Sequence, residues 1–207
     1  MSNKDHWENI YSTKEINGVS WYQETPTTAL NIFNSLQLNS DASIIDIGAG
    51  KSFLVDNLLE LGYNDITILD ISGNALNEVK ERVEKKSFSI KCIESNVTDL
   101  SFEQKYDVWH DRAVFHFITN KQEREKYTSL LNSSLNKDGY LILGTFSEDG
   151  PLKCSGLEVQ RYSVEELKKL LKENFQLIDG FKKVHDTPFN TTQSFTFCLF
   201  KKIKKFL

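Results

Sequence analysis

A short segment near residue 45 constrains the fold more than any other part of this 207-residue chain. Residues 44–47 are three isoleucines and one acid, Asp46. They are followed by Gly48 and Gly50, and a helical pattern of apolar residues begins near Phe53. An apolar strand that runs through a glycine turn into an amphipathic helix is typical of the first βα unit of a parallel sheet. The segment therefore predicts a ligand-binding turn at the carboxyl end of this strand.

Strand-like and helix-like segments alternate along the rest of the chain. Seven apolar, β-rich stretches predict strands at 44–47, 66–69, 88–93, 106–110, 140–146, 175–184 and 193–200. Only a short turn with Pro188 and Asn190 joins the last two, so they must pair antiparallel, because a parallel pair needs a longer crossover. The pattern predicts an α/β fold: a seven-stranded mixed sheet with helices on both faces and a C-terminal antiparallel hairpin.

Local signals predict where several helices begin and end. Ser72 is placed to cap the helix after the second strand, and Ser163 with Glu166 has the spacing of a capping box. Gly139 is expected to end the helix before the fifth strand. Another helix is expected to start near Pro26.

Length and composition limit the classes of protein to consider. The chain is long enough for one domain, and we expect a helical cap over residues 1–40 and an α/β core over residues 41–207. A formal net charge of −4 gives no case for nucleic acid, and no apolar run approaches the length of a membrane span. The three cysteines are widely spaced. We therefore expect a cytoplasmic protein without a metal site, a disulfide framework, or a membrane or nucleic-acid partner.

The residues around the glycine turn discriminate between three kinds of ligand. A phosphate-binding P-loop needs a glycine five residues before Gly50, where the chain has Ile45. A dinucleotide fold needs a third glycine where the chain has Phe53, and Asp46 would repel a pyrophosphate by a few kcal/mol at an effective dielectric of about 20. S-adenosylmethionine (SAM) carries a sulfonium, an ammonium and no phosphate. An acid before the glycines therefore favours SAM.

The run Asp46-Ile47-Gly48-Ala49-Gly50, with Asp70 at the end of the second strand, resembles the motifs of class I SAM-dependent methyltransferases. The resemblance implies a Rossmann-like methyltransferase fold with SAM as cofactor, and it places an adenine contact near Asn96. Asp70 is expected to accept hydrogen bonds from the ribose hydroxyls. The expected cofactor contacts from this resemblance are Asp46, Gly48, Ala49, Gly50, Asp70, Ile71, Asn96 and Val97.

An aromatic segment before the core is also expected to contact the cofactor. The chain resembles, more loosely, the thiopurine methyltransferase group and small bacterial methyltransferases, whose N-terminal aromatic residues cover SAM. This likeness implies that Trp21 and Tyr22 cap the cofactor. The alternative is that both rings are ordinary core aromatics.

The end of the fourth strand is the expected catalytic region. This strand ends with His110, Asp111 and Arg112. It should lie beside the first strand, at the point where the order of the strands in the sheet reverses. His110 is the best candidate for a general base, because an imidazole titrates near neutral pH. Asp111 and Arg112 are equally well explained as an internal ion pair, and His116 is expected to be structural.

These observations predict methyl transfer to an N, O or S atom of a small-molecule acceptor by in-line displacement. The acceptor is expected to be small because the fold uses most of the chain. A loop that includes Arg161 and Tyr162 could line its pocket, or could simply pack on the surface. A protein-lysine acceptor is the alternative substrate, and a non-catalytic SAM-binding partner subunit is the alternative function. The sequence does not predict the oligomeric state.

Overall fold

A computed structural model describes residues 3–203, so the two ends of the predicted single domain, residues 1–2 and 204–207, lie outside it. Within the described range two compact units are distinguished. The first comprises residues up to Leu100 together with Thr187–Phe189, and the second comprises Ser101–Asp186 and the residues from Asn190 onward. Seven strands contributed by these units form the predicted mixed sheet.

The first unit begins with two helices and continues as alternating strands and helices. Its elements are α1 (Asn3–Thr13), α2 (Thr27–Leu36), β1 (Ser43–Ile47), α3 (Leu54–Glu60), β2 (Asp65–Asp70), α4 (Gly73–Glu84) and β3 (Lys91–Glu94). The three strands are parallel in the order β3-β2-β1, and Ile45 lies opposite Thr67. Every residue of β1 is buried, as its isoleucines require.

The second unit contains the antiparallel part of the sheet. Its elements are β4 (Tyr106–Arg112), α5 (Lys121–Ser134), β5 (Leu135–Phe146), β6 (Lys153–Cys154), β7 (Leu157–Glu158), α6 (Val164–Leu171), β8 (Phe175–Asp186) and β9 (Thr192–Lys202). The strands follow the order β4-β5-β9-β8, with β4 and β5 parallel and the other pairs antiparallel. The predicted C-terminal hairpin is therefore confirmed as β8 and β9.

Most of the predicted helix starts are confirmed. The Ser72 hydroxyl caps α4 by accepting from the Ala75 amide at 3.2 Å. Ser163 and Glu166 form the predicted capping box at the start of α6. The helix expected near Pro26 begins at Thr27.

The predicted third strand starts too early, because α4 ends in a Schellman motif that includes Phe88, the first residue assigned to the strand. Ser87 has a φ of 63°, its amide donates to the Glu84 carbonyl, and the Phe88 amide donates to the Val83 carbonyl. This position usually carries glycine. Because serine takes this position here, no glycine marks the end of α4, and β3 starts only at Lys91.

The expectation that Gly139 ends the preceding helix is wrong. Helix α5 ends at Ser134, and β5 begins immediately at Leu135, which pairs with Tyr106. The ammonium of Lys202 donates to the carbonyl of Leu135 at 2.8 Å and to that of Asn132. A cation at the last helical carbonyls stabilises a helix end, so a residue nearly 70 positions away supports this boundary.

Candidate cofactor site and active site

The glycine turn after β1 is held by the end of β2. Gly48 and Gly50 have φ of 64° and 52°, a region that glycine adopts without steric cost. The Gly50 amide donates to the Asp70 carboxylate at 2.8 Å, and the Ala49 amide donates to the Leu69 carbonyl at 3.0 Å. The carboxyl ends of two neighbouring strands are thereby joined at the predicted ligand site.

Asp70 is a buried carboxylate that also orders the start of α4. Its second oxygen accepts from the Ser72 amide at 2.9 Å. Burial raises the pKa of Asp70 to about 6; the amide hydrogen bonds oppose this rise, and the nearby charge of Asp46 adds to it. A carboxylate has about four acceptor positions, so these amides leave capacity for a ribose hydroxyl.

The other predicted cofactor contacts in the first unit lie near the same edge. The Ser95 amide donates to the Asp70 carbonyl at 3.0 Å, which brings the turn after β3 to the end of β2. Asn96 caps the short 3-10 helix Val97–Asp99, and its side-chain Oδ1 accepts from the Thr98 amide at 3.3 Å. Val97 is buried, whereas Ile71 is partly exposed. The first unit therefore brings its predicted contacts from three strand ends together.

An aromatic cluster on α1 reaches the glycine turn. The Trp7 ring is stacked with Tyr11 at a centroid distance of 6.0 Å and edge-on to Trp21 at 5.8 Å. A Cβ added at Gly50 would overlap the Tyr11 hydroxyl. Trp21 is thus part of a cluster that contacts the turn, and Tyr22 contacts the Phe53 ring edge-on at 6.4 Å. The sequence places Tyr11 on the same helix face as Trp7, but it does not predict that Tyr11 contacts the glycine turn.

Arg82 supports the turn from α4. Its guanidinium donates to the Ser52 carbonyl at 2.6 Å, to the Lys51 carbonyl at 3.3 Å and to the buried carboxylate of Asp56 at 2.7 Å. The same group lies 4.4 Å above the centroid of Phe53. Phe53, which excludes the dinucleotide motif, is therefore a packing partner of this arginine.

Asp111 at the end of β4 is enclosed by hydrogen-bond donors. Its oxygens accept from the Tyr127 hydroxyl at 2.5 Å and from the amides of Val114 at 2.9 Å and Phe115 at 3.2 Å. The Tyr127 oxygen accepts in turn from the Trp109 indole at 2.9 Å. Burial raises the pKa of Asp111 to about 6, and the Tyr127 bond is the largest opposing effect. These contacts shape the turn after β4.

The neighbours of Asp111 differ from it in environment. His110 is buried, whereas Arg112 is partly exposed, with its guanidinium carbon 5.0 Å from the centroid of the Phe195 ring. Ala113 follows with a φ of 74°, an uncommon conformation for a residue other than glycine. Its amide donates to the Gly144 carbonyl at 2.8 Å. The turn after β4 is thus strained and held by hydrogen bonds on both sides.

Other polar residues of the second unit have packing roles. The Nδ1 atom of His116 accepts from the Phe146 amide at 3.2 Å, and burial lowers the pKa of His116 to about 3, so the ring is neutral. Arg161 donates to the carbonyls of Glu148 at 2.7 Å and Gly150 at 3.2 Å, which closes its own loop. Burial raises the pKa of Cys154 to about 11, so this thiol is not a nucleophile at neutral pH.

Three features are absent from the described part of the chain. Over residues 3–203 no group of three or more histidine, cysteine or acidic side chains is arranged to hold a metal ion. No helix in that range has the length and hydrophobicity of a membrane span. None of the three cysteines forms a disulfide.

Comparison with known proteins agrees with this geometry. The family model described as "Methyltransferase domain" matches residues 38–199. The chain belongs to this family. It is a SAM-dependent methyltransferase, and the buried acids, glycine turn and absence of a P-loop fit SAM as its cofactor.

Similar proteins use different acceptors. EEF1A lysine methyltransferase 2 of Homo sapiens is 22% identical over 195 residues, which cover 86% of this chain and 76% of that protein. The 1,6-didemethyltoxoflavin-N1-methyltransferase of Burkholderia thailandensis has a TM-score of 0.76 at 18% identity, over 97% of this chain and 87% of that one. N-methyltransferase NodS of Bradyrhizobium japonicum, solved with S-adenosylhomocysteine (SAH), has a TM-score of 0.72 at 13% identity, over 98% and 100% of the two chains. At these identities the structures show the shared fold alone.

Proposed function

We propose that this enzyme transfers the SAM methyl group to an N, O or S atom of a small, neutral or anionic acceptor. The observation that carries the proposal is the charge at the carboxyl end of β4, where the acceptor is expected. Arg112 is partly exposed, with Nε and Nη2 of its guanidinium buried and its charge beside the Phe195 ring, whereas the carboxylate of Asp111 is buried and accepts from Tyr127 and two amides. A guanidinium there favours an anion or a planar group and opposes a lysine ammonium.

The described residues support defined roles in this reaction. SAM supplies an electrophilic methyl group, and displacement releases a neutral thioether, so alignment in a dry site is the main requirement. Asp70 and the glycine turn would hold the ribose and methionine parts. His110 would take a proton only from an acceptor that arrives protonated. Asp111 acts as a positioning residue, because its oxygens bind the turn after β4.

A protein-lysine acceptor is the second candidate. The match to EEF1A lysine methyltransferase 2 covers most of this chain, and a second such protein, from Danio rerio, is 25% identical over 85% of it. A lysine acceptor would have to lose its proton near Arg112. A nearby positive charge lowers the pKa of an ammonium, so such a site would deprotonate lysine at a cost in binding.

One labelling experiment separates these candidates. Purified enzyme and SAM with a radioactive methyl group are incubated with a cell extract split into metabolite and protein fractions. We expect the label in the metabolite fraction, and label in protein alone would establish the lysine alternative. Release of SAH with neither fraction labelled would point to uncoupled turnover, and no release with intact SAM binding would indicate a non-catalytic partner subunit.

The role of Arg112 is tested once an acceptor is found. Arg112→Gln should raise the KM for an anionic acceptor about tenfold, equivalent to one lost charged hydrogen bond, and leave SAM affinity unchanged. Arg161→Gln is the matched control, since Arg161 bonds to its own loop. An unchanged KM in Arg112→Gln would refute the charge argument. The cytoplasmic location also stays a proposal, to be tested by fractionation of the source cells.

A further inference from the structure

Helix α1 is attached to the start of α4 by one carboxylate, that of Glu8. Its Oε1 accepts from the Gly73 amide at 2.7 Å, and its Oε2 accepts from the Ser72 hydroxyl at 3.0 Å and the Asn74 amide at 3.4 Å. The first amides of a helix have no partner within the helix, and its positive end attracts an anion. Glu8 therefore accepts hydrogen bonds from amides of the first turn of α4 that have no partner within the helix.

A second contact holds α1 at the same place. Lys4 forms an ion pair with Glu94 at the end of β3. A Cβ added at Gly73 would come within 2.5 Å of the Glu94 carboxylate. The start of α4 therefore contacts both Glu8 and Glu94, and a larger residue than glycine at position 73 would displace the Glu94 side chain.

The same helix carries the residue that contacts the glycine turn. Tyr11 follows Glu8 by three positions, so both lie on one side of α1. The Tyr11 hydroxyl lies against Gly50, and Gly50 donates to Asp70. Ser72, which donates its hydroxyl to Glu8, donates its amide to Asp70. Glu8 is thus connected to the Asp70 carboxylate by two routes, one through Tyr11 and Gly50 and the other through Ser72.

We propose that Glu8 is a positioning residue for SAM binding: its attachment to α4 keeps Trp7 and Tyr11 over the glycine turn. The proposal rests on the cofactor site of the proposed function. When α1 detaches, the aromatic cluster leaves the turn, and the apparent dissociation constant equals the intrinsic constant divided by the fraction of molecules that remain closed.

The test combines two measurements on the full-length protein. Hydrogen exchange of α1 is followed without ligand, and SAM and SAH affinities are measured by calorimetry. In Glu8→Ala we expect the opening of α1 to become about tenfold more favourable, as for loss of a helix cap, so that its amides exchange faster and both dissociation constants rise by the factor by which the closed fraction falls, at most about tenfold. Glu8→Gln keeps one acceptor oxygen and the side-chain volume, so its effect should be smaller. It also reports on the attachment if Glu8→Ala folds poorly.

Glu15→Gln is the matched control, because it removes the same charge from an exposed position beyond α1. It should change neither measurement. Unchanged α1 exchange in both Glu8 variants would overturn the attachment. Loss of α1 protection with unchanged SAM affinity would show that α1 does not position the cofactor. Failure of the wild-type protein to bind SAM would instead refute the cofactor site itself.

Discussion

Asp70 and Asp111 are two buried aspartates at the carboxyl ends of strands, and they differ in how much of their carboxylate is already in use. Burial raises the pKa of each to about 6. Asp70 accepts from backbone amides alone, whereas Asp111 also accepts a short bond from the Tyr127 hydroxyl. This difference supports the proposal that Asp70 has acceptor capacity left for a ligand, whereas Asp111 serves the fold.

The largest effect should come from removing the carboxylate that serves the fold. Asp111→Ala leaves the Tyr127 hydroxyl and two amides without an acceptor, so we expect the free energy of unfolding to fall by about 3 kcal/mol. Chemical denaturation measures this loss. SAM affinity of the folded variant should be nearly unchanged, and a variant with wild-type stability would contradict the structural role.

Removing the charge proposed to bind the ribose should weaken cofactor binding. Asp70→Asn loses the ionised acceptor for the ribose, so SAM affinity should fall about thirtyfold, or about 2 kcal/mol. Calorimetry gives this value directly. Asp65→Asn, at the other end of β2, is the control and should bind SAM normally. Equal affinities in the two variants would remove Asp70 from the cofactor site.

The raised pKa values make stability depend on pH in a specific direction. A carboxyl with a folded pKa of about 6 and an ordinary value of 3.8 binds more protons in the folded state. Its contribution to stability is therefore lost as pH rises from about 4 to 6. His116 acts oppositely, because its lowered pKa costs stability as pH falls below its ordinary 6.5.

The Asp111→Asn variant isolates one carboxyl from these opposing effects. His116 and Asp70 are present in both proteins, so their contributions cancel in the difference in unfolding free energy between wild type and variant. Between pH 4 and pH 7 we expect the wild type to lose on the order of 2–3 kcal/mol of stability relative to the variant. Denaturation curves at several pH values measure it. A flat difference would mean that Asp111 titrates normally in the folded protein.

The smallest effect should come from the strained turn beside Asp111. Ala113→Gly relieves a φ of 74° and should stabilise the protein, or leave it unchanged, with a gain of at most about 1 kcal/mol. The reverse change at the other turn, Gly50→Ala, adds both strain and overlap with Tyr11, so it should destabilise. A large loss of stability in Ala113→Gly would show that the methyl group of Ala113 packs in the core.

Local patterns were enough to predict the parts of the molecule that depend on neighbouring residues. The glycine turn, the acid ending β2, the caps at Ser72 and Ser163 and the final hairpin all follow from short segments. Partners distant in sequence determine the rest. Lys202 supports the end of α5, Tyr127 binds Asp111, and Glu8 reaches α4 across 65 positions. No short window contains both members of any of these pairs.

The contacts of Arg82 have a consequence for the thermodynamics of cofactor binding. Because this side chain ties residues 51–53 to α4, the glycine turn keeps its shape before any ligand arrives. Little backbone entropy then remains to be lost on association. SAM should therefore bind to a turn that is already ordered. The conformational entropy lost on binding should then come mainly from α1 and its aromatic cluster.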